Sequence, residues 1–240
     1  MATKLISAAK LRWLVAETLV IVLGVLIALG LDDHWTDRQE RLLAMDYVQR
    51  VQNDVNADLD YIRNTWNPRL REKREALEAI GPVVRGQARV PEDVVMFLRN
   101  ISRGGMMSAT AQPWVTSTTF EDLRSTGNLR LIRDPDVRAA ISSYYDGMSN
   151  LFDRMQGRHS GYVSFVHTAI PAELRDNINL EAIERFGVDY ALNRLLSDEF
   201  RNLANAEYNA MLFMLSQDFE TYAERLHGVL EIYRLELEGQ

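Results

Sequence analysis

The chain has 240 residues, of which 47% are hydrophobic and 25% charged, so its composition is globular and excludes a disordered protein. Its 34 acidic and 27 basic residues give a net charge of −7, which argues against nucleic-acid binding because phosphates would be repelled. The absence of cysteine excludes disulfide bonds, thiolate zinc sites and cysteine catalysis.

The first predicted element is a transmembrane helix over residues 13–31, which read WLVAETLVIVLGVLIALGL with one charge, Glu17. At about 1.5 Å per residue this segment spans roughly 28 Å, close to the ~30 Å hydrocarbon core of a bilayer. Trp13 and Trp35 lie near its two ends, where aromatic residues at the membrane interface are favoured. The lipid bilayer is therefore the first predicted partner.

The charges on either side of this helix predict its orientation. Three basic residues precede it and two aspartates follow it, namely Lys4, Lys10, Arg12, Asp32 and Asp33. The positive-inside rule then predicts a cytoplasmic tail at 1–12 and an extracytoplasmic domain at 32–240.

Two other interpretations of the apolar segment remain open. A cleaved signal peptide would share the basic start and the apolar run, with Ala28-Leu29-Gly30 as the small-x-small site. A buried core helix is the other, because the uncharged run from Thr18 to Leu31 is short enough for one.

Three residues inside the segment are candidate anchor or contact positions together with Trp13 and Trp35. Glu17 can reach the headgroups or pair with a basic residue of the tail; alternatively it is a buried carboxylate that pairs with a partner subunit or relays protons. Gly24 and Ala28 form one small-xxx-small step, which permits close approach of a second helix.

The chain after the membrane segment predicts a long amphipathic helix at about 34–66. Its apolar residues recur at steps of three and four, and no Gly or Pro separates it from the transmembrane helix. Asn67-Pro68 is expected to interrupt this helix, and Gly81-Pro82 to end the short helix that follows. Pro91 is expected to open the next helix, which stops at Gly104-Gly105.

An irregular connection with Pro113 then leads to a short helix, for which Thr118 and Glu121 match a capping box. Gly127 or Asn128 is expected to end this helix in the left-handed conformation. The Gly127-Asn128 turn is most simply a helix stop with a structural role; the alternative is that it presents a surface that binds a partner.

The remaining sequence predicts helices at 135–157, near 179–186 and at 188–237. The first is expected to begin at Pro135, and a continuation past Gly157 and Gly161 to about 169 stays open. The last is expected to be punctuated at Asp198. No long stretch alternates like a strand, so the predicted fold is all-α, with a helical bundle outside the membrane.

Two stretches resemble a known family. They are AETLVIVLGVLIALGLDDHW (16–35), which leads into YVQRVQNDVNAD (47–58), and TFEDLRSTGNLRLI (119–132), which precedes Tyr144-Tyr145. Both are similar to an uncharacterised family of bacterial single-pass membrane proteins with a Glu-led anchor helix and a Ser/Thr-Gly-Asn-Leu turn. The resemblance implies an uncleaved anchor in a bacterial inner membrane and supplies no activity. The chain departs from the family at 31–34, where members usually carry amide residues.

The sequence contains no motif for chemistry. Phosphate-binding loops, nucleophile elbows and His-Glu-x-x-His pairs are missing. His159 and His167 are two helical turns apart, but a metal site would need further ligands such as Asp153, so we expect neither metal nor cofactor. Asp54 and Asp58 are most simply part of a solvated face, with Glu72.

An aromatic-rich stretch is expected to be core packing, with a pocket for a small ligand as the alternative; it comprises Tyr144, Tyr145, Phe152, Tyr162 and Phe165. We therefore expect a non-enzymatic, membrane-anchored scaffold or adaptor that binds another envelope protein or itself. The alternative is an extracytoplasmic module that senses a small ligand and acts through a partner. An enzyme with paired carboxylates and an ion-conducting subunit that uses Glu17 are weaker hypotheses.

Overall fold

The computed structural model describes residues 8–105, 115–156 and 160–239, and in these ranges the chain forms helices and no strand. The prediction of an all-α helical bundle is confirmed. The elements in chain order are α1 (Ala8–Tyr61), a π-helical turn (Ile62–Trp66), α2 (Asn67–Val84), α3 (Val94–Gly104), α4 (Thr118–Ser125), a 3-10 turn (Asn128–Leu131), α5 (Pro135–Gln156), α6 (Tyr162–Ala169), α7 (Ala172–Asp176), α8 (Leu180–Phe186), α9 (Asp189–Leu195), α10 (Asp198–Leu215) and α11 (Phe219–Glu238).

Helices α1 and α2 form one continuous helix through the π turn, so the predicted interruption at Asn67-Pro68 is wrong. Asn67 keeps helical angles of φ −59° and ψ −44°, and its backbone N–H donates to the carbonyl of Ile62, five residues earlier. Proline lacks an N–H, and its ring crowds the carbonyl four residues before it. The wider π turn just ahead of Pro68 relieves this conflict without breaking the helix.

The ends of α2 and the start of α3 also differ from the prediction. Helix α2 contains Pro82 and continues to Val84, beyond the predicted stop, and the Pro82 carbonyl accepts from the N–H of Gln87 at 2.8 Å. Helix α3 begins after Asp93, whose side chain accepts from the N–H of Met96 at 2.9 Å, and not at Pro91. A side-chain cap therefore fixes this end. The predicted stop of α3 at Gly104 is confirmed.

Helix α4 lies one residue away from the predicted capping box. Ser117 precedes the first helical residue, and its hydroxyl donates to the Glu121 carboxylate at 2.6 Å, so Thr118 is inside the helix and is not its cap. Gly127 has a φ of +72°, which confirms the left-handed stop. Residues 106–114 lie outside the part of the chain that the structure describes, and they include Pro113 of the predicted connection.

The predicted helix at 135–157 is confirmed, because α5 begins at Pro135; the continuation to about 169 that the sequence left open does not occur. Helix α5 ends at Gln156, and α6 starts after Gly161, whose φ is +75°. A left-handed residue cannot continue a right-handed helix, so the two segments are separate.

The predicted helix at 188–237 is three helices. The Ser197 hydroxyl accepts from the N–H of Phe200 at 3.2 Å and caps α10, which confirms the punctuation at Asp198. A second break was not predicted. Asp218 caps α11 by accepting from the N–H of Thr221 at 3.1 Å.

The helices bury two hydrophobic cores along the long helix. The first core joins α1 and the π turn to α4, α5 and α11; its largest members include Trp66, Phe120, Tyr144, Tyr145, Phe219 and Tyr233. The second joins α2 to α3, α6 and α10, with Phe97, Tyr162, Phe165 and Phe200. Helix α10 contributes Met214 to the first core and Met211 to the second, so it ties the two together.

Candidate functional site

The apolar segment of α1 stands clear of the bundle. One helix near the N-terminus is long and apolar enough to cross a membrane, and none of its apolar window is buried. Residues 17–39 are all exposed, whereas the helix enters the first core at Ala44, which is 1% exposed. This segment is therefore not a core helix of the domain.

The candidate anchor residues all lie on this uncovered part of α1. Trp13 is 67% and Trp35 is 62% exposed, and no other part of the chain comes within 4 Å of a Cβ placed on Gly24. Glu17, Gly24, Ala28 and Trp35 follow one another at steps of seven, four and seven residues, so they share one side of the helix. The structure thus groups four residues that the sequence singled out separately.

The candidate interaction turn is bound to the long helix. The Asn128 Nδ2 donates to the Tyr47 hydroxyl at 2.9 Å, and that hydroxyl donates to the Asp122 carboxylate at 3.0 Å. Arg50 lies 3.5 Å from the same carboxylate. Asn128 therefore holds the turn against α1, whereas Gly127 is exposed with open space around it.

Two arginines after the turn reach the part of α1 that follows the membrane segment. Arg133 pairs with Asp37 at 2.6 Å, and Arg130 pairs with Glu40 at 3.2 Å. The backbone N–H of Arg133 also donates to the Tyr233 hydroxyl of α11 at 3.2 Å. The ion pairs are exposed and each contributes at most about 1 kcal/mol. Together with the hydrogen bond to Tyr233 they join α1 at Asp37 and Glu40 to the segment after the turn and to α11.

Asp58 is buried, so its assignment to a solvated face is wrong. It is 0% exposed, and its carboxylate accepts from the N–H of Thr116 and from the Tyr144 hydroxyl, both at 2.8 Å. Burial raises the pKa of Asp58 above its usual value, although both hydrogen bonds oppose the shift. Asp58 thus fixes the chain that enters α4.

A second buried polar cluster was not predicted. Lys73 of α2 is 0% exposed and pairs with Glu207 of α10, which is 1% exposed, and Glu207 also accepts from the Ser160 hydroxyl. Burial lowers the pKa of Lys73, although the Glu207 carboxylate opposes the shift. The sequence does indicate that Lys73 is buried, because it lies three residues after Leu70 and four before Leu77, on the same apolar face of the helix.

The aromatic-rich stretch is divided between the two cores, as core packing predicts. Tyr144 and Tyr145 lie in the first core, and Tyr162 and Phe165 in the second. An open groove of about 280 Å³ lies beside the stacked rings of Phe120 and Tyr145 and is lined further by Arg124, Glu121, Met148 and Phe152.

The described residues contain no group of three or more side chains suited to a metal ion. His159 lies outside the residues that the structure describes. Asp153 belongs to α5 and His167 to α6. His34 and His167 are exposed.

Comparison of the chain with protein-family models, with curated proteins and with solved structures found no match in any of the three. Membership of the bacterial family that the sequence resembles therefore stays a prediction.

Proposed function

We propose that this protein is a membrane-anchored, non-enzymatic helical scaffold or adaptor that binds another envelope protein or itself. The observation that carries the proposal is the continuous helix from Ala8 to Val84, whose apolar N-terminal part is uncovered while its remainder forms the spine of both cores. The part after Leu31 is about 80 Å long at 1.5 Å per residue. Such a helix holds a folded domain at a fixed distance from a bilayer.

The proposed topology follows the charges around the anchor. Basic residues before residue 13 and aspartates at 32 and 33 favour a cytoplasmic N-terminus and an extracytoplasmic domain at the inner membrane of a bacterium. The unbroken helix through Ala28-Leu29-Gly30 supports an anchor that is retained in the mature protein.

The polar groups inside the domain support a binding role over a catalytic one. Asp58, Lys73 and Glu207 are each at most 1% exposed and are bonded to neighbouring elements, so no substrate can reach them. Acid–base catalysis needs a titratable group within hydrogen-bonding reach of its substrate. These three groups hold helices together instead.

Affinity purification of the full chain in mild detergent tests the proposal. We expect a stoichiometric envelope protein or a stable oligomer of the chain itself. A clean monomer without a partner, obtained from membranes in which the protein is present at its natural level, would contradict the proposal.

The groove beside Phe120 and Tyr145 favours a second candidate, a module that senses a small ligand and acts through a partner. Its volume of about 280 Å³ lies near the lower limit of about 300 Å³ for ligand pockets. A thermal-shift screen of small aromatic and anionic compounds tests this role, since a ligand stabilises the folded state that binds it. Stabilisation that is lost in Arg124→Ala would support it, and the absence of any shift would contradict it.

A further inference from the structure

The stalk between the membrane segment and the bundle touches the described chain through the exposed ion pair of Asp37 with Arg133, but no other helix buries it. Residues 32–39 are all exposed and extend over about 12 Å of helix in water. A helix in water gains most of its stability from packing of its apolar face, so an uncovered stalk is a poor structure for a monomer.

One side of the stalk and membrane segment carries a heptad pattern, which we call the stalk stripe. It consists of Gly24, Ala28, Leu31, Trp35 and Leu42, at steps of four, three, four and seven residues. This spacing is that of the seam between two helices of a coiled coil. Leu31 is 66% and Leu42 is 58% exposed, so the seam is open.

Lipid and the bundle together do not account for the stripe. Leu42 lies about 16 Å beyond Leu31 along the helix axis, which is past the hydrocarbon core. The bundle packs on the other side of α1, where Ala44 and Val48 are buried. Residues two positions apart on a helix do not face the same way, so Leu42 points away from the core that Ala44 enters.

A second copy of this chain fits the stripe because the stripe crosses from lipid into water without a change of register. A partner must be apolar up to the membrane surface and amphipathic beyond it, at the same depth. A second copy with the same topology meets both conditions, and its helix is parallel by necessity.

The charges that flank the stripe favour the same partner. In a parallel pair the flanking residue 41 of one helix lies beside residue 46 of the other, and these are Arg41 and Asp46. Among the described residues Arg41 has no carboxylate partner, and Asp46 is 60% exposed with only Arg50 nearby at 3.8 Å. Arg38 falls at a seam position, where its long stem can cover the seam while its charge reaches water.

We propose that two copies of this protein associate in parallel through the stalk stripe, with the two bundles on opposite sides of the helix pair. The inference rests on the proposed function, since it names the chain itself as the partner of the anchored adaptor.

Cysteine cross-linking in membranes tests this arrangement, because the natural chain has no cysteine and each introduced thiol is unique. The test variants of the full chain are Ala28→Cys, Leu31→Cys and Leu42→Cys. The controls are Leu29→Cys and Asp33→Cys, which are exposed at matching depth on the other side of the helix. A disulfide forms only where Cα atoms come within about 7 Å, so only facing positions react efficiently.

We expect the three test variants to form a band at twice the chain mass of 27.5 kDa under mild oxidation, and the two controls to stay at the chain mass. Adding Leu42→Asp to Ala28→Cys should abolish the double-mass band, whereas adding Thr36→Asp on the other side should not. Equal bands for tests and controls would mean random collisions and would overturn the proposal, as would the absence of every band.

The same membranes distinguish the two proposals. If no stripe position cross-links but a different envelope protein co-purifies in stoichiometric amount, self-association is wrong and the adaptor function stands. If no stripe position cross-links and purification yields only a monomer without a partner, both proposals are wrong.

Discussion

The buried pair of Lys73 and Glu207 gives the sharpest test of how α2 and α10 are held together. Replacing Lys73 with Met should leave the Glu207 carboxylate buried without its counter-charge. Removal of one partner from a buried pair costs about 3–5 kcal/mol, whereas replacement of both partners by apolar residues is often neutral. Since Glu207 keeps its hydrogen bond from Ser160, we expect the lower part of this range.

Thermal unfolding of the full chain in detergent, followed by circular dichroism, measures the effect. At about 2–4 °C per kcal/mol for a domain of this size, a loss of about 3 kcal/mol in Lys73→Met should lower Tm by roughly 6–12 °C. The double variant Lys73→Met/Glu207→Leu should recover most of the loss. As a control, Arg234→Met breaks a partly exposed pair with Glu238 and should cost less than about 1 kcal/mol.

The double variant decides whether the reasoning holds. Residues in contact show a coupling energy that separates the double variant from the sum of the two single ones. If Lys73→Met/Glu207→Leu is destabilised by as much as that sum, the two charges do not compensate each other, and the account of this cluster is wrong.

Four further predictions follow from the fold. Asp58→Ala should leave the Thr116 N–H and the Tyr144 hydroxyl unpaired at about 1–3 kcal/mol each, as chemical denaturation would measure, with a loss below 1 kcal/mol contradicting the buried role. Asp58→Asn should become more stable relative to the natural chain as pH rises from about 4. The raised pKa means that Asp58 holds its proton more tightly in the folded chain than in the unfolded chain, so its contribution to the free energy of unfolding is present at low pH and is lost as pH rises through the folded pKa. A difference in unfolding free energy between the two proteins that stays constant at all pH values would refute this. Gly127→Ala should lower the free energy of unfolding by about 1–2 kcal/mol, because the backbone at residue 127 is left-handed, and Gly127→Asn should lower it less. Equal Tm values for the two variants would contradict this prediction. Deletion of residues 1–31 should give a domain that needs no detergent and keeps its Tm, because the deleted residues from 17 onward contact no core; gel filtration without detergent checks this, and an aggregated or unfolded product would count against it.

The sequence predicted the elements whose signal is local. The apolar run of the anchor, the steps of three and four from Val48 to Leu59, and the left-handed stop at Gly127 each follow from short-range rules. The candidate anchor positions could be named for the same reason. That the bundle leaves their side of the helix open as far as Leu42 required the structure, since it depends on which side of α1 the other helices cover.

The misses have a common physical cause, which is competition between local preference and tertiary contacts. Pro68 and Pro82 are helix breakers locally, but the helix carries its packing across both of them. Asp58 and Lys73 look like surface residues until a partner from a distant part of the chain reaches them, namely Tyr144 and Glu207. The sequence pattern of one helix does not predict which residue of another helix will contact it.

The π turn at Ile62–Trp66 rotates the side chains of α2 about the helix axis relative to those of α1. It inserts one extra residue, which corresponds to a rotation of about 100° around the axis. The apolar repeat runs on in the sequence from Ile62 through Leu70 to Leu77; Ile62 and Leu70 lie in the first core, whereas Leu77 lies in the second. A single helix can therefore serve α11 and α5 below the turn and α3 and α10 above it, so that two differently oriented groups of helices share one unbroken axis.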